Sequence, residues 1–340
     1  MFDKRKQDVE RIDKCRSQRA LWYLFLVSFI IVWFSAPLLC ASTYYVASSG
    51  DDTFACSSPE EPCATVSGAF SRVVSGDIIR ISDGIYTVTE LTIDRNVVIE
   101  GNSPTSCILQ VATEPHSNLG RLFIISPGVT CDIRSVTMRN GSVPQGPNNN
   151  AGSHGGAIHN SGFIQITNCY LLNNSAGNGG HGQFTGTHIG GRGGWGGAIY
   201  NNTGARLILN SCIFSNNSSG AGGNAYGPPG NEFGGTGGHG GCIYLSAQSS
   251  LVMDFCHIDS CTAGNGGYSW PNSTGVRGGE GGGLYVTSGA TASIARTTFS
   301  RNAAGKGGGC RIGGMGGHGG GISNYGSLGM TNCTLSGNNA

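Results

Sequence analysis

The sequence predicts an all-β solenoid, a parallel β-helix, on three observations. A Gly-Gly unit, followed by a small residue or Gly and then Ile or Leu, recurs at offsets of 41, 44, 41 and 38 residues. A fixed period of this size indicates a repeat architecture. Apolar residues within each repeat are mostly two residues apart, which is the strand period. Because the runs between turns are too short for helices and no repeat can bury its apolar face alone, the coils must stack on one another.

Five regular parts carry this pattern: 155–176, 196–219, 240–263, 281–304 and 319–340. We predict that one aligned apolar column points into the core, and each buried side chain then contributes about 1.5–3 kcal/mol. Its members are Ile158, Ile199, Ile243, Leu284 and Ile322. A second column has Asn in four of five coils. Stacked amides predict a hydrogen-bonded ladder, although Asn is also common in turns. This column contains Asn174, Asn217, Cys261, Asn302 and Asn338.

Four glycine-rich inserts, 177–195, 220–239, 264–280 and 305–318, separate the regular parts. The first has 9 glycines in 19 residues. Because Gly has no side chain to bury and is costly to order, we predict that the inserts are loops. Aromatic and His side chains among the glycines suit contact with a carbohydrate or surface-protein partner. Two alternatives are that they fold back over the shaft, or that the inserts are low-complexity spacers. The candidate ligand-binding residues are Phe184, His188, Trp195, Tyr226, Phe233, Tyr268 and Trp270.

The residue before each Gly-Gly is chemically unusual, and stacking would place the five in a line: His154, Trp195, His239, Glu280 and His318. The neighbours His239 and Glu280 form a weak candidate metal or ligand site. Side chains spaced ~4.8 Å apart along one line of the β-helix cannot converge on a metal ion with tetrahedral geometry. The sequence therefore assigns no metal centre and no cofactor, and packing over the glycine backbone is the alternative for this line.

The N-terminus carries a targeting signal. Residues 1–20 are polar, with seven Lys or Arg, and are expected in the cytosol. Residues 21–42 read as a signal peptide or a transmembrane anchor, because 21–39 is apolar apart from two Ser and one Pro. Both interpretations place the repeats outside, secreted or at the cell surface. If the segment is uncleaved, it binds the membrane.

Residues 43–76 predict a strand and then a capping helix over 64–74, whose apolar residues share one face. Such a helix would cover the open end of the β-helix, which occupies 77–340. The sequence stops at Ala340 where earlier coils enter their inserts. We expect either a fragment of a longer chain or an end that a partner covers.

Of the 13 cysteines, 11 follow the N-terminal segment, so at least one lacks an internal partner. Cys56 and Cys63 are expected to form a disulfide in an oxidising compartment. Cys107 and Cys131 are 24 residues apart, about one coil, which suggests a second bond. A further aligned column has Cys in four coils and Thr in the fifth. These cysteines are compatible with packed free thiols or with one or two disulfides, and the Thr in the same column favours packing. The column contains Cys169, Cys212, Cys256, Thr297 and Cys333.

The net charge of +1 and the 11% charged residues exclude the electrostatic footprint of a nucleic-acid-binding protein. Seven Asn-x-Ser/Thr sequons are glycosylation candidates if the host glycosylates. They begin at Asn140, Asn173, Asn201, Asn216, Asn217, Asn272 and Asn332.

Short motifs carry a resemblance to known families. Gly-Gly-Ala-Ile at 155–158 and 196–199, with Phe214-x-x-Asn217 and Phe299-x-x-Asn302, resembles the paired repeats of the chlamydial polymorphic outer-membrane proteins. The segment from Tyr44-Tyr45-Val46 to Gly84-Ile85-Tyr86 is similar to the start of many pectin-lyase-like proteins. The resemblance covers about residues 43–340. It implies a right-handed, single-stranded parallel β-helix, with adhesion as the role of the first family and polysaccharide cleavage common in the second.

Catalysis of sugar hydrolysis needs two carboxyl groups at a defined separation. From residue 141 onward the chain has four acidic residues and no Asp-Asp or Asp-x-Asp pair: Glu232, Asp254, Asp259 and Glu280. We therefore assign no catalytic residue and favour a non-catalytic surface protein for adhesion or recognition. The alternative is a polysaccharide lyase or hydrolase, or an inactive relative of one.

Overall fold

The computed structural model describes residues 41–111, 120–183, 188–226, 233–269 and 274–340. Residues 42–340 form one compact unit. Its strands, numbered β1–β24 in chain order, form three parallel sheets, and the chain passes from one sheet to the next within each coil. The predicted parallel β-helix is confirmed. Crossovers between parallel strands are right-handed in almost all proteins.

The nine-stranded first sheet contains β1 Thr43–Val46, β2 Asp77–Ile81, β5 Val97–Gly101, β8 Thr130–Arg134, β11 Phe163–Thr167, β14 Arg206–Asn210, β17 Ser250–Asp254, β20 Thr291–Ala295 and β23 Ser327–Thr331. The eight-stranded second sheet contains β3 Gly84–Thr87, β6 Cys107–Gln110, β9 Thr137–Arg139, β12 Tyr170–Leu172, β15 Ile213–Ser215, β18 His257–Asp259, β21 Thr298–Ser300 and β24 Thr334–Ser336. The seven-stranded third sheet contains β4 Leu91–Ile93, β7 Phe123–Ile125, β10 Ile158–Asn160, β13 Ile199–Asn201, β16 Ile243–Leu245, β19 Leu284–Val286 and β22 Ile322–Asn324.

The predicted inward column occupies the third sheet. Ile199 pairs with Ile158 on one side and with Ile243 on the other, and all three side chains are fully buried. Leu284 continues the column, and Ile322 is only partly buried in the last coil. Identical positions of successive coils therefore lie directly above one another, as the repeat predicted.

The predicted Asn ladder is also present. The amide nitrogen of Asn174 donates to the amide oxygen of Asn217 (3.0 Å), and that of Asn302 donates to Asn338 (2.9 Å). In the coil that lacks this Asn, Cys261 forms a disulfide with Cys242. Cys242 stands where other coils have Ala or Gly, so a covalent bond within the coil replaces the amide rung.

The predicted capping helix is not formed as such. Within the ranges described above there is one short helix, α1, Val66–Phe70, which follows the N-cap Thr65 and buries three apolar side chains. It does not continue to residue 74, because the carboxylate of Asp77 accepts the N–H groups of Val74 and Ser42 (both 2.8 Å) and directs the chain into β2.

Among the described residues, no helix combines the length and apolar character needed to cross a membrane. The predicted cytosolic segment 1–20, and residues 21–40 of the predicted signal or anchor segment 21–42, lie outside the described residues.

Of the two suggested N-terminal disulfides, Cys56–Cys63 is formed. The prediction of a bond between Cys107 and Cys131 is wrong, because both thiols are free and the two residues are buried in different sheets. Cys107 pairs with Gly84 in the second sheet, whereas Cys131 pairs with Val97 in the first. The N-terminal coils have unequal lengths, so a step of 24 residues does not return the chain to the same position.

The described parts of the inserts contain no helix and no named strand, as expected for loops. Together with 141–153, they nevertheless form ordered arms, here called the glycine arms, that hydrogen-bond to one another within an insert and between neighbouring coils. The N–H of Gly264 donates to Gly238 O (3.0 Å), and Gly238 donates in turn to Gly220 O (2.8 Å). Gly279 completes the layer by donating to Gly264 O (2.7 Å). The sequence runs Gly-Gly-x-Gly-Gly-x, and this period of three is that of the polyproline II conformation.

Candidate binding site on the glycine arms

The ends of the glycine arms bring four predicted ligand-binding residues onto three successive coils. The His188 ring nitrogen Nδ1 lies 3.2 Å from Tyr226 O. The N–H of Ala225 donates to Tyr268 O (2.8 Å), and the N–H of Gly190 donates to Phe233 O (2.8 Å). We name His188, Tyr226, Phe233 and Tyr268 the arm-tip cluster. Phe184 and Trp270 lie outside the described residues.

The arm-tip cluster combines aromatic surface with polar groups. Phe233 and Tyr268 are 39% and 43% exposed. Asn224 joins two members, because its amide donates to Tyr226 OH (3.3 Å) and accepts the Tyr268 N–H (2.9 Å). The arrangement places partly exposed aromatic rings beside the Asn224 amide, which is a chemistry suited to ligands with both apolar and hydroxyl surfaces.

Trp195 does not belong to this cluster. Its ring stacks on His154 in the preceding coil (centroids 4.8 Å apart) and on Tyr244 in the following coil (4.7 Å). Both faces of the indole are covered, so the interpretation of Trp195 as a ligand-binding residue is wrong.

Trp195 is part of an aromatic column that the sequence reasoning missed. Tyr200 stacks on Tyr244, Tyr244 stacks on Tyr285, and His239 stacks on Tyr285, with centroids 4.6 to 5.4 Å apart. The residues before the Gly-Gly units thus pack onto a row of tyrosines. The signal was visible, because a Tyr follows the inward Ile or Leu in three successive coils.

The candidate pair His239 and Glu280 does not form a coordinating arrangement. His239 Nδ1 accepts the backbone N–H of Glu280 (3.0 Å). The Glu280 carboxylate accepts hydrogen bonds from Tyr325 OH (2.8 Å) and Ser323 OH (3.0 Å). Within the described ranges, no group of three or more His, Cys, Asp or Glu could hold a metal ion.

The half-buried imidazoles of the column resist protonation. Burial lowers the pKa of His154 to about 4, and the nearby positive groups of His159 and Arg121 act in the same direction. Burial also lowers the pKa of His239, although Glu280 opposes the shift. The neutral ring also keeps the Nδ1 lone pair with which His154 accepts the backbone N–H of Trp195 (3.0 Å).

We therefore expect stability to fall on mild acidification. The pKa of His154 is lower in the folded chain than the ordinary value of about 6.5. The contribution of His154 to folding stability is therefore complete above pH 6.5 and is lost as the pH falls towards 4. The urea midpoint should decrease from pH 6.5 to pH 5, and His154→Gln should make the decrease shallower. An identical slope in the variant would contradict the assignment.

Every described acidic residue beyond residue 141 is held by an arginine. Asp254 pairs with Arg296, which lowers the pKa of that carboxyl. Asp259 pairs with Arg301 (2.6 Å) and Glu280 with Arg277 (3.4 Å). These carboxylates fasten neighbouring coils or arms, and Glu232 lies outside the described residues.

Two glycosylation candidates are wrong. Asn201 and Asn217 are buried, and their amides bond to Asn160 and Asn174, so neither can carry a glycan in the folded chain. The sequons at Asn173, Asn216 and Asn332 are exposed, and Asn140 is half-buried. Asn272 lies outside the described residues.

Comparison with known proteins gives similarity to solved structures alone. No family model matches the chain. A search of curated proteins finds no match. A pectin methylesterase from Erwinia chrysanthemi is similar, with a TM-score of 0.38 and 13% identity over 80% of each chain. A family PL6 alginate lyase is also similar, with a TM-score of 0.35 and 12% sequence identity. The match covers 88% of this chain and 40% of the lyase chain. The comparisons give no support to chlamydial repeats. Likeness at this level carries no argument about function.

Proposed function

We propose that the chain is an exported or membrane-anchored surface protein that recognises a carbohydrate through its arm-tip cluster, without cleaving it. The observation that carries the proposal is the exposure of the Phe233 and Tyr268 rings on hydrogen-bonded arms. Rings beside amides can stack on the apolar face of a sugar while the amides bond its hydroxyl groups.

The arms suit this role because their hydrogen bonds order them in advance. Gly190 donates to the next coil at Phe233 O, and Gly234 donates to Ser269 Oγ (2.9 Å) one coil further. A ligand that meets a surface already fixed loses less affinity to the ordering of side chains and loops. A partner protein with an apolar, hydroxyl-bearing surface would use the same groups.

Export is supported by two disulfides, because such bonds persist in oxidising compartments. We favour recognition over polysaccharide cleavage because each described carboxylate beyond residue 141 is paired with an arginine, whereas sugar hydrolysis needs two carboxyl groups at a defined separation.

Glycan-array binding by the full chain tests the proposal. Tyr268→Ala and Phe233→Ala should each weaken binding by about tenfold or more, as loss of a central aromatic contact does. Phe255→Ala is the matched control, because this ring is 56% exposed on the shaft away from the arms. Equal binding by all variants would contradict the proposal. Release of unsaturated uronides or new reducing ends from a bound polymer would overturn its non-catalytic part.

A further inference from the structure

Three free, buried cysteines lie at one corner of successive coils: Cys169, Cys212 and Cys256. Strand register aligns the last two, because Leu209 pairs with Met253 before them and Ile213 pairs with His257 after them. Aligned residues of adjacent parallel strands are ~4.8 Å apart. This spacing lies within the range of about 4.4–6.8 Å that a disulfide requires between Cα atoms.

The Cys256 sulfur is placed differently from those of its neighbours. The thiols of Cys169 and Cys212 contact a carbonyl of the preceding coil, at Ile133 O (3.6 Å) and Ile166 O (3.4 Å). The Cys256 sulfur instead accepts the backbone N–H of Cys212 at 3.4 Å. One sulfur therefore lies against the neighbouring cysteine, and rotation of the Cys212 side chain would bring the second sulfur to it.

We propose that Cys212 and Cys256 are oxidised to a disulfide that joins two successive coils. The two thiols lose two protons and two electrons as the S–S bond forms. A disulfide oxidant such as oxidised glutathione accepts them and is reduced to two thiols. The chain already carries Cys56–Cys63 and Cys242–Cys261, so the same oxidising conditions act on it. Because both sulfurs are buried, the bond forms as the coils stack and is then shielded from reductants.

The bond would support the glycine arms. Its two ends enclose the insert that carries Tyr226 and Phe233, and it overlaps the loop closed by Cys242–Cys261. The two bonds together would hold the base of these arms when the coils are pulled apart. This consequence does not depend on what the arms bind.

A threonine variant offers a test that preserves packing. Thr297 occupies the same column one coil further, and its hydroxyl accepts the Cys256 N–H (3.2 Å). Cys256→Thr can therefore accept the Cys212 N–H in the same way and should fold without the bond. Cys333→Thr, in the same column, is the control because it leaves the pair intact.

The full chain, produced by secretion, is denatured, alkylated without reductant and mapped by mass spectrometry. We expect a peptide that links Cys212 to Cys256 in the wild type and in Cys333→Thr. Reduction should lower the melting temperature of all three proteins. We expect the decrease to be smaller in Cys256→Thr than in the wild type or in Cys333→Thr. Alkylation of both Cys212 and Cys256 in unreduced wild type would overturn the proposal, as would a bond from Cys212 to Cys169.

Discussion

Gly264→Ala is expected to destabilise the chain by at least about 3 kcal/mol, at the upper end of the cost of overpacking. Gly264 is buried in the layer of glycine arms, and a Cβ there would overlap the carbonyl of Gly220 and press on the N–H of Gly238. Both groups are backbone and are fixed by hydrogen bonds, so neither can move aside without separating the arms. Urea unfolding followed by circular dichroism would measure the loss.

Gly313→Ala is the matched control for this change. Gly313 lies in another glycine-rich insert, and a Cβ built there has nothing within 4 Å. Its effect should stay within about 0.5 kcal/mol, as is usual for surface positions. Equal stability of the two variants would show that the arms are not packed against one another in solution.

The glycine arms contain hydrogen bonds that the glycine content of the sequence did not predict. Glycine content alone predicted loops, because a residue without a side chain adds nothing to an apolar core. The three-residue period of the glycines is a better guide to the structure of the arms than the glycine content. In Gly190-Gly191-Arg192-Gly193-Gly194-Trp195 every third residue carries a side chain, so two of every three positions allow another backbone to approach. The hydrogen bonds that order the arms join residues far apart in the sequence, such as Gly220 and Gly194, and appear only when the coils are stacked.

The shaft was easier to predict than the site because its columns repeat. Ile158, Ile199 and Ile243 recur at the coil length, so alignment alone placed them inside. The arm-tip residues do not recur: Tyr226 and Tyr268 occupy different positions of their arms, and their proximity depends on hydrogen bonds between arms. Trp195 was assigned to the wrong group because its stacking partners, His154 and Tyr244, lie 41 and 49 residues away in the chain.

Ile199→Asp is expected to abolish folding of the shaft. Ile199 is fully buried between Ile158 and Ile243 in the third sheet, with no cationic side chain in its column. The carboxylate would have to enter the core as an unpaired charge or take up a proton. The loss of apolar burial adds to that penalty. We expect a cost of more than about 5 kcal/mol, comparable to the whole stability of many domains.

The same substitution on the outer surface separates burial from strand propensity. Ile85 lies in β3 and is 57% exposed, so Ile85→Asp should cost less than about 1 kcal/mol, within the span of β-propensities. Circular dichroism and limited proteolysis of both variants would compare them. A protease-resistant Ile199→Asp protein with an unchanged β-sheet spectrum would mean that Ile199 does not face the core. Stacking of equivalent residues would then no longer account for the stability of this chain, because each coil has too little apolar surface to fold alone.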